Sequence, residues 1–130
     1  MIVRRVLNFE DTATKHAAIV RSLYQCGITN IDHATTAMEG VAMIEHAIKE
    51  GKPYHLIISD MYFPICPGEG EAQAGFYVIE ELQNRQIDVP IIVCSSARLV
   101  IPEIVGCIHY TPRRDLNEDM REMIDIVRNM

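Results

Sequence analysis

Hydrophobic positions along the chain fall into two alternating patterns. Short, nearly continuous apolar runs occur at Val3 to Phe9, His55 to Ser59, Val89 to Ser95 and Val105 to Tyr110. Runs of this length predict strands, with His55 to Ser59 consistent with burial on both faces and Val89 to Ser95 buried, as in a parallel sheet. Asn30 to Thr35 is half polar and predicts a shorter strand at an edge. Between the runs lie segments with helical periodicity. The first begins at Asp11 or Thr12 as N-cap, carries Ala17, Val20, Leu23 and Tyr24 on one stripe, and stops at Gly27. Residues 36–50 carry Met38, Val41, Ala42, Ile44 and Ile48, and Gly51 and Pro53 end them. Phe76 to Asn84 and residues 115–129 complete the set, the last with Leu116, Met120, Met123 and Val127 at helical spacing.

Strand and helix alternating in this way predict an α/β fold with right-handed crossovers and helices on both faces of a parallel sheet. With no composition shift or linker, residues 1–130 are expected to form one domain. Two segments break the rhythm. Met61 to Gly75 contains two prolines and three glycines besides Phe63 and Cys66, and predicts a long loop, most simply a mobile surface excursion. Ala97 to Glu103 has room for at most one or two turns of helix, because Pro102 interrupts it.

Composition narrows the function. The net charge is -6 and Lys and Arg form no block, which argues against direct nucleic-acid binding. The chain shows no signal segment and no apolar run long enough to span a bilayer, so no membrane role and a cytoplasmic location are expected. Cys26, Cys66, Cys94 and Cys107 form no metal-binding spacing, and the histidines are scattered.

Chemistry concentrates at strand ends. Glu10 and Asp11 follow the first strand and Asp60 follows the third. If those strands are neighbours, three carboxylates meet at one sheet edge. Like charges about 4 Å apart repel by roughly 4 kcal/mol per pair at an effective dielectric of 20. Such a cluster calls for a divalent cation, a shared proton or water, and an all-oxygen set suits Mg²⁺. The competing reading is a helix N-cap and a turn residue.

Glu10-Asp11, Asp60, Pro64 four residues on, Ser95 closing the fourth strand and Pro112 after the fifth occur in an order that resembles the receiver domain of bacterial two-component response regulators. The resemblance covers the whole chain and implies a flavodoxin-like, doubly wound five-stranded sheet of order 2-1-3-4-5. It implies that Asp60 accepts a phosphoryl group from a histidine kinase or phosphotransfer protein. Asp11, Asp60 and the Tyr62 backbone carbonyl would hold Mg²⁺, with Glu10 acting through water. Ser95 would hydrogen-bond the phosphoryl oxygens. It further implies a signalling module, not an enzyme acting on outside substrates, that works by binding an unknown downstream protein.

Three departures accompany the resemblance. Thr111 stands where the family places a lysine before the proline, leaving Arg98, Arg113 or Arg114 as substitutes for the missing charge. Ile108 stands at the position of the family's strand-five aromatic, with Tyr110 two residues on, on the same face. The loop between Pro64 and Gly75 is long, and the family's fourth helix is shortened. These departures motivate an alternative, a pseudo-receiver that binds partners without phosphorylation. A Mg²⁺-dependent phosphohydrolase is a third reading, disfavoured by the lack of a phosphate-binding glycine loop or a nucleophile elbow.

Overall fold

Apolar residues at odd and even positions of the same strands feed two different cores, and this fixes the layers. The computed structural model describes all 130 residues. Its elements are β1 (Arg5–Phe9), α1 (Ala13–Gln25), β2 (Asn30–Ala34), α2 (Ala37–Lys49), β3 (Leu56–Ser59), α3 (Ala74–Asn84), β4 (Ile91–Ser95), β5 (Gly106–His109) and α4 (Asn117–Arg128). All strand pairs are parallel, in the order β2-β1-β3-β4-β5. Leu7, Phe9, Ile57, Ile91 and Val93 pack with α2 and α3 on one face. Val6, Leu56, Ile58, Ile92, Cys94 and Ile108 pack with α1 and α4 on the other. The alternation follows the two-residue period of a strand.

The fold class, strand order and central buried strands agree with the sequence reading. The helix faces differ in detail. In α1 the buried residues are Lys15, Ile19, Ser22 and Leu23, while Tyr24 is exposed. In α2 they are Ala37, Gly40, Val41, Ile44 and Ala47, and Met38 and Ile48 are exposed. Small residues thus line the inner face of α2. Gly40 is required there: a Cβ would lie 1.9 Å from Cε1 of Phe9.

The shortened helix expected between β4 and β5 is absent: that segment contains no helix at all. Beyond Pro102, Val100 and Ile101 are β-branched and lower helix propensity further. Leu99, Ile101 and Ile104 pack from this connection onto the α2/α3-side core.

The loop after β3 is anchored at its ends and is not a free excursion. Phe63 is fully buried and exchanges backbone hydrogen bonds with Ala72, both 3.1 Å. The carbonyls of Pro64 and Ile65 accept from Ala37 and Met38 N–H at 3.0 and 2.9 Å. These donors at the start of α2 would otherwise lack partners. The exposed run of the loop is Pro67 to Glu71.

Candidate phosphoryl and metal site

Parallel pairing of β1 with β3 puts Phe9 opposite Ser59, so the next residues, Glu10 and Asp60, leave the sheet side by side. Asp60 N–H extends the ladder by donating to Phe9 O at 3.2 Å, and Glu10 N–H donates to Ala34 O at 2.9 Å on the other side. One carboxylate oxygen from each of Glu10, Asp11 and Asp60 lies within 4.8 Å of the others. Glu10 is buried, Asp60 half-buried and Asp11 exposed. The sequence expectation that these three residues meet is therefore met.

Backbone contacts fix two of the three. Asp60 Oδ1 accepts from Met61 N–H at 2.7 Å, and Glu10 Oε2 from Thr12 N–H at 3.0 Å. Gly75, near the start of α3, donates to Met61 O at 3.1 Å. A Cβ on Gly75 would meet Asp60 O at 2.7 Å, so only glycine lets α3 approach the turn that carries Asp60.

The sequence reading missed the residue at the centre of this cluster. Lys15, in the first turn of α1, is 5% exposed. Its Nζ lies 2.9 Å from Glu10 Oε1 and 3.3 Å from Asp60 Oδ2, and 5.2 Å from the centre of the Tyr110 ring. Burial works to depress the Lys15 ammonium, but Glu10 and Asp60 outweigh it and hold its pKa above the ordinary value. Burial pushes the Glu10 carboxyl up against the pull of Lys15 and Thr12, and the charge of Asp60 adds to the rise. The two rises differ in cause: burial dominates for Glu10, and the charges of Glu10 and Asp60 dominate for Lys15.

Of the arginines raised as substitutes, Arg114 and Arg98 have other surroundings. Arg114 pairs with Asp119 and donates to His109 O at 2.6 Å. Arg98 lines a groove of about 650 Å³ with Leu99, Cys107, His109 and Arg114. Thr111 begins the turn after β5, its carbonyl accepting from Arg114 N–H at 3.1 Å. Ser95 is fully buried at the end of β4, and its Oγ accepts from Ala97 N–H at 3.3 Å. Ile108 and Tyr110 face the α1/α4 side together, Ile108 within the core and Tyr110 partly buried against it. Tyr62 lies two residues past Asp60, partly buried against the opposite core.

A second polar cluster adjoins the first. His16 and His33 stack with centroids 3.6 Å apart and planes 6° from parallel. His33 Nε2 donates to Glu10 O at 2.6 Å, and His16 Nδ1 pairs with Asn8 Nδ2 at 2.8 Å. Burial, then the neighbouring His33, lowers the pKa of His16.

No sequence-family model matches this chain. No curated protein matches it either. Its likeness is to solved structures. A two-component response regulator from Legionella pneumophila has a TM-score of 0.66 at 16% identity, with 98% of this chain and 99% of that one covered. The chemotaxis response regulator CheY4 of Vibrio cholerae scores 0.63 at 18% identity, covering 97% and 99%. The Mn²⁺-bound form of the response regulator Rcp1 scores 0.68 at 18% identity, covering 92% and 91%. The chain thus has the fold of response-regulator receiver domains over nearly its whole length.

The residues present fit a hard divalent cation. Their donors are carboxylate oxygens from two adjacent strand ends, converging at a switch point of the sheet, where open α/β sheets bind ligands. No helix is long and apolar enough to cross a membrane.

Proposed function

We propose that this chain is a receiver that takes a phosphoryl group onto Asp60 from a histidine kinase or phosphotransfer protein in the cytoplasm, and signals by contact with a downstream protein. The observation that carries the reading is the convergence of Glu10, Asp11 and Asp60 at the β1/β3 edge. A carboxylate oxygen of Asp60 bonds to phosphorus while the donor's bond to phosphorus breaks. With acetyl phosphate the P–O bond breaks and acetate leaves. With a phosphohistidine the P–N bond breaks and the freed imidazole takes a proton from water. The product in both cases is an acyl phosphate on Asp60.

Asp11, Asp60 and the Tyr62 carbonyl are the residues that would hold Mg²⁺, with Glu10 reached through water. When bound, Mg²⁺ neutralises charge on the phosphoryl oxygens. Met61 N–H, already on Asp60 Oδ1, orients the carboxylate. Ser95 Oγ, buried at the neighbouring strand end, would hydrogen-bond the transferred group. The chain acts on no outside substrate in this reading.

The alternative is a pseudo-receiver that binds its partner without phosphorylation. It is favoured by Thr111 at the position of the usual lysine and by the lack of a helix between β4 and β5. Incubation with Mg²⁺ and acetyl phosphate separates the two. A mass gain of one phosphoryl group that is lost in Asp60→Asn supports the first reading. No gain, or a gain that persists in Asp60→Asn, rejects it.

A further inference from the structure

Lys15 sits where a lysine is doubly disfavoured. Lys is almost never fully buried without a partner. The first turn of a helix is the positive end of its dipole, which repels a cation. Both costs are offset here by Glu10 at 2.9 Å, Asp60 at 3.3 Å and the face of Tyr110. Holding the ammonium in this place therefore requires the acidic site itself. Meanwhile Thr111 brings no charge to it, and Arg114 is engaged by Asp119.

We infer that Lys15 is the cationic partner of the phosphoryl group on Asp60, supplied from α1 in place of a lysine on the turn after β5. The inference rests on the phosphoacceptor reading above. Phosphorylation exchanges a singly charged carboxylate for a group of about twice that charge at pH 7. An ammonium has three rotatable donors, so it can keep Glu10 and give another hydrogen to a phosphoryl oxygen. Nζ is already 3.3 Å from Asp60 Oδ2, the oxygen not held by Met61 N–H. The same ammonium repels a divalent cation when no phosphoryl group is present. Lys15 therefore acts on metal affinity and on phosphoryl transfer in opposite directions, which a scaffolding role would not do.

The test compares wild type, Lys15→Met and the double variant Lys15→Met/Thr111→Lys. Mg²⁺ affinity is measured by titration without a donor, and the phosphorylation rate by intact mass with acetyl phosphate. Lys15→Met is expected to bind Mg²⁺ several-fold more tightly, since a like charge within reach of the metal is gone. Its phosphorylation rate should fall by about tenfold or more, as when a preorganised charge partner is removed. The added lysine at 111 should restore part of the rate. Phosphorylation of Lys15→Met at the wild-type rate overturns the assignment of Lys15 alone. So does a joint fall in affinity and rate that Thr111→Lys does not rescue, which marks Lys15 as structural. No mass gain in the wild type overturns the Asp60 reading itself, and this assignment with it.

Discussion

At the ends of β1 and β3, Glu10, Lys15 and Asp60 hold one another at ion-pair distance, whereas β5 runs out into Thr111 and a turn whose Arg114 is engaged by Asp119. On the opposite face of β1 Phe9 packs closely against Gly40 of α2, while the connection into β5 has no helix and leaves Val100 fully exposed. The two regions face the same edge of one sheet. The cation that pairs with these carboxylates comes from α1.

Mutations on the packed side should break this contrast most severely. Phe9→Ala is expected to cost about 3–5 kcal/mol in denaturant unfolding, by emptying a fully buried ring site in the α2/α3-side core. Gly40→Ala should cost about 1–3 kcal/mol, because its Cβ must displace the Phe9 ring. The helix propensity gained there, about 1 kcal/mol, does not outweigh the clash. A stabilised Gly40→Ala protein would mean that this packing is looser than described. Tyr110→Leu, which removes the aromatic face near Lys15, should cost on the order of 1 kcal/mol.

On the other side, Val100→Ser should change stability by less than about 0.5 kcal/mol. Alanine at Arg98, Arg113 and Arg114 together should leave the rate of Asp60 phosphorylation within about twofold, as expected for exposed charges. A loss comparable with that in Lys15→Met would return the missing charge to β5.

The smallest effect concerns pH. The folded-state pKa of His16 is lowered by burial and by His33, so the unfolded chain binds this proton more readily. Its contribution to stability is complete above about pH 6.5, the unfolded value, and is lost as pH falls through the folded value. His16→Gln should flatten that loss in unfolding curves below pH 6.5. A steeper loss in the variant would refute the assignment.

Much of this was legible in the sequence. Apolar runs gave the strands, and the acidic residues at the ends of the first and third gave the cluster, because in a parallel sheet a strand end locates a side chain well. Lys15 was not legible by the same route. A stripe drawn through apolar residues alone, Ala17, Val20, Leu23 and Tyr24, turns α1 away from its true inner face. The buried series is Lys15, Ile19, Ser22 and Leu23, which has helical spacing with a cation at its head. The available signal was a lysine in a first turn, four residues after Asp11, where the dipole argues against it. The anchoring of the long loop was hidden for another reason. Its partners are main-chain donors of α2, which leave no trace in side-chain identity.

Those main-chain contacts limit what a protease can reach. Cutting within Pro67 to Glu71 severs only the bare tip, while the flanking stretches stay clamped by Ala37, Met38 and the Phe63 bridge. A nicked chain should accordingly travel as one intact particle on a sizing column, and separate into two fragments only when unfolded.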